Sequence, residues 1–286
     1  MYVAMLFANV CWAMGIVGTK VAVRSMSPAA FAQARAVGAA SIFFALLVCS
    51  RRQRFPLHLK VSDWLALAGL AASGITFNHF LYCVGIARTS VVHTGLIVAL
   101  GPAIVLVISC LLRIEHLTTL RAIGIAVSCG GAAFLTISKA GPGRGAEFFG
   151  DMMVLASIVF GAVYAILLKR SANRFDVFTL NVGIFGIGAL FLLPIGVRAS
   201  LRVRWVALPA LAWAGLLFVI LMGSVLGFVI QAWVMAALDP SQVQVFTYLQ
   251  PLISTAAGVL WLGENLPAGG LLGGIMIIFG VFLAAR

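Results

Sequence analysis

Long apolar runs alternate with short polar segments along the whole chain. Each run holds about 20 residues, which is the length that an α-helix needs to cross roughly 30 Å of hydrocarbon. Charged residues, prolines and turn residues mark the boundaries between the runs. They predict ten transmembrane helices, near residues 2–22, 28–50, 63–86, 90–112, 117–138, 150–169, 177–197, 207–236, 240–262 and 267–285.

The composition excludes a water-soluble fold. Hydrophobic residues make up 63% of the chain and charged residues 9%, whereas soluble domains are about 45–50% apolar and 25% charged. The formal net charge of +12 would suggest nucleic acid as the partner of a soluble protein. Here the basic residues border apolar runs, where lipid headgroups attract them. We therefore expect a lipid bilayer, and no nucleic acid, as the partner of these charges.

The basic residues also indicate an orientation. An even number of spans leaves both termini on one side of the membrane. Cytoplasmic termini place ten Lys and Arg residues inside and eight outside, with Arg35 within the second span. This bias follows the positive-inside rule, so we expect cytoplasmic N- and C-termini.

Residues of the same type recur at a constant offset of 149 residues. The matches among scarce residue types are Lys20 with Lys169, Pro102 with Pro251, and Glu115 with Glu264. Such matches carry more weight than those of Gly or Leu, which are abundant in this composition. The sequence therefore predicts two similar halves, 1–138 and 150–286, joined by a loop at 139–149.

An odd number of spans in each half determines how the halves are related. Five spans carry the chain to the opposite side of the membrane, so two halves of one fold must have opposite orientations. The predicted fold is therefore all-α, with ten transmembrane helices as two inverted five-helix repeats around a central cavity. This arrangement is typical of secondary transporters, whose site lies between the repeats near the bilayer midplane.

Several segments carry a family resemblance. They are CWAMGIVGTK at 11–20, SPAAFAQAR at 27–35, and two copies of a longer segment that begin LGPAIVL at 100 and LQPLIST at 249, the second containing WLGE at 261–264. On these segments the whole chain resembles the EamA-type branch of the drug/metabolite transporter (DMT) superfamily. Within that branch it is most similar to the YddG-type exporters of aromatic amino acids and related metabolites. The first copy departs from the family pattern, because it has LLRIEH where LGE is usual.

The resemblance implies a monomeric carrier of the bacterial inner membrane, without enzyme activity, cofactor or metal. It implies export of small metabolites, amino acids including aromatic ones, by alternating access or facilitated diffusion. The small multidrug-resistance relatives bind cations through a glutamate in the first span, and the stretch from Trp12 to Thr19 has none. This absence makes a multidrug or organic-cation exporter the alternative rather than the leading hypothesis.

Polar residues in the third span are the first candidates for the site. Asn78, His79 and Tyr82 are spaced so that they share one face of a helix. Polar side chains at membrane depth are costly unless they face a cavity or a partner, so they are functional candidates by default. The alternative is that Asn78 and His79 only hold neighbouring helices together. Among them, His79 is the group that titrates near neutral pH.

Other spans supply further candidates for a cavity lined by spans 1, 3, 4, 6, 8 and 9. Gln244 and Tyr248 share one face of span 9 with Pro251 and offer neutral hydrogen-bonding groups. Helix packing around a kink at Pro251 is the alternative for that face. The remaining substrate-binding candidates are Trp12, Tyr164 and Gln231, which would add aromatic surface and an amide.

Three residues are expected to have a gating or structural role: Arg35, Pro102 and Pro251. Arg35 lies seven residues after Pro28, about 10 Å along the second helix. Binding of a substrate carboxylate is the alternative role for Arg35. The two prolines are related by the repeat.

An intramembrane enzyme is the least favoured class. All seven acidic residues are assigned to positions at or near the ends of spans, and the four histidines do not form a ligand-spaced pair on one helix. His79 is thus the only predicted proton carrier, and passive facilitated transport stays open as a mechanism.

Overall fold

The computed structural model describes residues 1–49, 59–113, 118–137, 144–171, 174–237, 245–265 and 268–284. Helices and the turns between them account for these ranges, and no strand occurs within them. We number the membrane-spanning helices in chain order. They are α1 (Tyr2–Val23), α2 (Pro28–Cys49), α3 (Val61–Arg88), α4 (Val91–Leu111), α5 (Thr119–Ile137), α6 (Arg144–Ser171), α7 (Val177–Ser200), α8 (Ala210–Ala237), α9 (Leu249–Leu262) and α10 (Ala268–Ala284).

Each of these helices overlaps one of the ten predicted spans, although several begin or end a few residues from the predicted bounds. Seven of them are long and apolar enough to cross a bilayer, and α5, α9 and α10 contain shorter apolar segments. Large apolar side chains such as Phe44, Leu190 and Leu260 are exposed on the outer surface of the bundle. Lipid tails are the solvent that such a surface requires. The predicted all-α, multi-pass membrane fold is confirmed.

The sixth helix differs from its predicted bounds. It begins at Arg144, within the range 139–149 that was predicted as the connecting loop, whereas 139–143 lie outside the described residues. Glu147 in the first turn stabilises the positive end of the helix dipole. Because the helix extends beyond the apolar run, Asp151 lies two turns inside the helix and not at its end. The Asp151 side chain is buried.

Two spans share an irregularity that the sequence did not predict. The α-helical pattern changes to a π-helix over Ala71–Phe77 in α3 and over Val219–Leu226 in α8. These stretches overlap when the chain is shifted by 149 residues. The eighth span is a single continuous helix, as predicted. Single-turn π-helical segments are frequent at functional sites because they redirect the side chains around them.

The break within α4 corresponds to the start of α9 when the chain is shifted by 149 residues. α4 consists of Val91–Val98 and Gly101–Leu111, with Pro102 at the start of the second part. A 3-10 turn at Val245–Tyr248 precedes α9, and Pro251 lies in the first turn that follows. Proline is favoured in a first turn because its missing N–H would have no intrahelical partner there.

The most extensive contacts join one half of the chain to the other. They pair α1 with α8, α2 with α7, α3 with α6, and α5 with α10, and α4 contacts both α6 and α9. The Nζ atom of Lys20 donates to Ile86 O at 2.9 Å, and the Nζ atom of Lys169 donates to Met235 O at 3.5 Å. Both the donors and the acceptors are related by the offset of 149. Such reciprocal contacts are those of two halves related by a pseudo-two-fold axis.

The contact between α5 and α10 has the same symmetry. A Cβ atom on Gly131 would lie 2.8 Å from Gly273 O, and one on Gly280 would lie 2.6 Å from Gly124 O. Gly131 and Gly280 are repeat partners, as are Gly124 and Gly273. Small residues at these positions let the two backbones approach closely, as is usual between membrane helices.

Candidate substrate-binding site

A cavity of about 220 Å³ lies between the two halves of the bundle. Helices α1, α3, α4, α6 and α8 line it, and the region around the start of α9 contributes Thr247 and Gln250. These are the predicted spans 1, 3, 4, 6, 8 and 9. The structure adds α2, which contributes Arg35.

Glycines make room for aromatic side chains on two sides of this cavity. The Tyr164 ring of α6 packs directly on Gly74 of α3, where a Cβ atom would overlap the ring. The indole of Trp12 packs on Gly227 of α8, and its Nε1 donates a hydrogen bond to Gly223 O at 2.8 Å. Gly74 and Gly223 are repeat partners in the two π-helical stretches. The two stretches therefore form related surfaces, and a different aromatic residue packs at each of them, Tyr164 in one half and Trp12 in the other.

A cluster of aromatic rings forms one wall of the site. Phe228 is its centre, with ring centroids 5.7 Å from His79, 5.7 Å from Tyr164 and 5.0 Å from Phe185. His79 is buried, and its Nδ1 has no hydrogen-bond partner among the described residues. The wall offers apolar and aromatic surface next to a free imidazole nitrogen.

Neutral polar groups connect the helices around the cavity. Asn78 Nδ2 donates to Ser157 O at 2.7 Å, which joins α3 to α6. Gln250 Nε2 donates to Asn9 Oδ1 at 2.7 Å, which joins α9 to α1. Asn78 therefore combines both roles considered for it, because it lines the cavity and also ties two helices together.

Arg35 is the one formally charged side chain among the described residues that line the cavity. It is 7% exposed, and among the described hydrogen bonds its guanidinium makes one, from Nε to Ser224 Oγ at 2.7 Å. The repeat partners of Arg35 and Ser224 are Ile184 and Ile75. The second half thus has apolar residues where the first has a cation, and this difference makes the site asymmetric.

The cavity brings together most of the residues predicted to bind substrate. Those that line it are Trp12, Asn78, His79, Tyr82, Tyr164 and Gln231. Gln244 lies outside the described residues, and only the backbone of Tyr248 is described, in the 3-10 turn. The prolines lie at helix starts, and Pro251 packs against Gly95 where α9 crosses α4.

Sequence reasoning missed two features beside the cavity. In the first, Asp151 lies between Thr89 and His93, and all three side chains are buried. In the second, Glu264 accepts hydrogen bonds from the backbone N–H groups of Val91 and Val92, which begin α4. The repeat had singled out Glu264 but not its partners. No pattern along the chain connects residues so far apart.

Metal binding finds no support in the part of the chain that the structure describes. Within it, no three His, Cys, Asp or Glu side chains are grouped as metal ligands would be. The site therefore offers shape, aromatic surface, neutral hydrogen-bonding groups and one cation. Such a set suits reversible binding of a small solute.

Comparison with known families agrees with this architecture. The model of the EamA-like transporter family matches the chain twice, over residues 1–137 and 148–286. The chain belongs to the EamA-like transporter family. Each match covers one half of the chain, and the protein is accordingly a membrane transporter and not an enzyme.

Individual relatives are distant but cover most of the chain. An uncharacterized transporter of Archaeoglobus fulgidus is 22% identical, over 96% of this chain and 95% of its own. A Streptantibioticus cattleyicolor protein named a probable terminal-alkyne amino-acid exporter is 25% identical, over 79% of this chain and 75% of its own. A solved crystal structure superposes with a TM-score of 0.69 at 18% identity, covering 99% of this chain and 95% of that one. This last match shows a common fold.

Proposed function

We propose that this transporter is a secondary carrier that exports amino acids, including aromatic ones. Arg35 is the observation that carries the proposal, because it is the formally charged group of a cavity whose other described lining residues are apolar or neutral polar. A cation at this depth is costly unless it has a partner. A substrate carboxylate is such a partner, so the role first considered as the alternative for Arg35 becomes the leading one.

The remaining lining supports a substrate with an apolar side chain. Trp12, Tyr164 and Phe228 provide flat surfaces on which an aromatic or bulky aliphatic group can pack. Neutral acceptors such as the Gln231 amide can bind an ammonium group without adding charge. The similarity to a named amino-acid exporter of Streptantibioticus cattleyicolor points to the same class of solute.

Both the charge and the size of the cavity disfavour the alternative of an organic-cation or multidrug exporter. Arg35 repels a cation, and no carboxylate occurs among the described lining residues. The volume of about 220 Å³ is below the range of about 300–1,000 Å³ that is typical of sites for drug-sized ligands. A small metabolite is the better fit.

The setting of this function is also part of the proposal. We place the carrier in a bacterial inner membrane as a monomer, with cytoplasmic termini and the YddG-like direction of transport, outward. Alternating access would proceed by movement of the two halves around the cavity, since their contacts are reciprocal.

Counterflow in proteoliposomes tests the proposal. Vesicles loaded with unlabelled phenylalanine, leucine or glycine are placed in the same labelled amino acid, with lipophilic cations as competitors in parallel samples. We expect saturable uptake that is fastest for phenylalanine or leucine and is not inhibited by the cations. The absence of saturable flux for every amino acid, or stronger competition by cations than by amino acids, would refute the proposal.

Variants of Arg35 connect the flux to the site. A hydrogen bond to a charged group contributes about 1.5–3 kcal/mol, so Arg35→Gln should raise the KM for an amino acid by about 10- to 100-fold. Arg35→Lys should recover part of this loss because it keeps the charge. Arg198→Gln, an exposed arginine near the end of α7, is the matched control and should keep the wild-type KM. An unchanged KM in Arg35→Gln would remove the assigned role.

A further inference from the structure

A group of buried polar residues lies outside the central cavity, where α3, α4 and α6 meet. His93 Nδ1 lies 3.1 Å from Asp151 Oδ2, and the Thr89 hydroxyl donates to Asp151 Oδ1 at 2.5 Å. His93 and Asp151 are each 1% exposed, and Thr89 is 2% exposed. A carboxylate so deeply buried in a membrane protein is a functional candidate by default.

The pair retains capacity to bind. His93 Nε2 is buried and has no hydrogen-bond partner among the described residues. Together the imidazole nitrogen and the carboxylate are chemical groups that can each hold a proton. Two side-chain ligands and one hydroxyl are too few for a transition metal, for which no group of ligands occurs in the described ranges.

A second cavity borders Asp151. It has a volume of about 240 Å³, and α4, α5 and α6 line it with apolar residues such as Leu100, Ile125 and Leu155. Asp151 is the only acidic side chain among the described residues that line it. Asp151 is therefore the member of the pair that borders this second cavity.

The pair also connects the two helices that separate this space from the substrate site. Residues of α4 face both cavities, with Leu100 on the second one and Val98 on the central one. α6 carries Asp151 on one face and Tyr164, further along, at the central cavity. The His93–Asp151 contact therefore joins two helices, α4 and α6, that both line the central cavity.

The other charged and titratable groups around the pair come from each neighbouring helix. Lys20 of α1 donates to Thr89 O at 2.6 Å, and the Arg88 guanidinium of α3 lies over the Phe149 ring. Glu264, at the end of α9, binds the first N–H groups of α4. The remaining such groups are Glu147 on α6 and the Cys129 thiol on α5, which lines the second cavity.

We propose that His93 and Asp151 form the proton-binding site of this carrier, and that one proton bound there accompanies the transport cycle. The inference rests on the proposed function as a secondary carrier. In this proposal the His93–Asp151 pair carries the proton, instead of His79, which lies in the central cavity. The chemical step is a proton transfer only. An N–H or O–H bond forms when the site takes up a proton from one side of the membrane, and the same bond breaks when the site releases the proton to the other side.

Measurement of proton movement together with substrate flux tests this assignment. Proteoliposomes containing a trapped pH-sensitive dye receive labelled phenylalanine, and the ratio of protons moved to phenylalanine moved is determined. We expect a reproducible non-zero ratio in the wild type and at least a tenfold lower ratio in Asp151→Asn and in His93→Gln. Glu147→Gln, which changes a carboxylate one turn earlier on α6, should keep the wild-type ratio.

The outcomes separate this inference from the proposed function. Phenylalanine counterflow without proton movement in the wild type overturns the proton site and leaves the carrier function intact. A wild-type ratio in folded Asp151→Asn, or accumulation driven by a sodium gradient instead of a proton gradient, overturns the assignment as well. If the variants do not fold, the wild-type ratio alone decides, and the absence of any counterflow refutes both proposals.

Discussion

The carboxylate of Glu264 caps the first helical segment of α4 from the other half of the chain. Its Oε1 and Oε2 atoms accept hydrogen bonds from Val91 N–H and Val92 N–H, each at 2.9 Å. Gly263 makes this position possible, because its φ of +65° turns the chain at the end of α9. We expect Glu264→Gln to destabilise the protein by loosening this contact between the halves.

The size of the effect follows from the geometry. Glutamine keeps the shape and one acceptor, but its NH₂ group then faces a backbone N–H, so one charge-assisted hydrogen bond is lost. That loss is about 1.5–3 kcal/mol, and the loss of the charge at a helix N-terminus adds about 0.3–1 kcal/mol. A total of about 2–4 kcal/mol would lower the Tm by about 4–16 °C, on the scale of domains of 150–250 residues.

Thermal unfolding of the purified protein in detergent measures this change. Glu147→Gln is the control, because Glu147 is an acidic residue in the first turn of its own helix, α6. Its Tm should fall less than that of Glu264→Gln, by about 4 °C or less, since a carboxylate near a helix end contributes about 0.3–1 kcal/mol. Equal Tm values for Glu264→Gln, the control and the wild type would refute the capping role.

Three further variants test packing. Gly74→Ala should reduce amino-acid counterflow severalfold, because its Cβ atom displaces the Tyr164 ring. Gly69→Ala on the same helix is the control and should not reduce it, because its Cβ atom would meet Leu167 at 3.8 Å. Equal fluxes in the two variants would contradict the prediction. Gly131→Leu should lower the Tm by separating α5 from α10. Gly130→Leu should lower the Tm much less, because the nearest atom to its Cβ position is 3.7 Å away. A larger fall in Tm for Gly130→Leu than for Gly131→Leu would refute the symmetric contact. Trp12→Phe removes the hydrogen bond to the backbone of α8. It should destabilise the protein by about 1 kcal/mol and leave most phenylalanine transport intact. Complete loss of transport would show that the indole N–H itself is required.

The span positions were accessible from sequence because a bilayer imposes length and apolarity on each helix separately. Each span can be recognised from its own residues, without knowledge of its neighbours. The helix starting at Arg144 shows where this reasoning ends. Hydropathy marks the hydrocarbon boundary, whereas a helix ends where its backbone hydrogen bonds end, and here these differ by several residues.

The candidate site was accessible in part. The helical spacing of Asn78, His79 and Tyr82 predicts that they share one helix face, and all three line the cavity. The environment of Asp151 was not accessible, since His93 is 58 residues away along the chain and on another helix. Asp151 was therefore assigned to a span end, when in the structure it is one of the most buried charged groups.

The sequence by itself determined that this chain is a ten-helix membrane protein with a repeat at an offset of 149 residues, because periodicity and apolar length are local properties of a chain. Only the tertiary structure decided which residues meet. It placed Arg35 against Ser224 in the central cavity and Asp151 against His93 beside it. These contacts depend on how helices from the two halves pack on one another. The order of residues along the chain does not specify the distances between side chains on different helices.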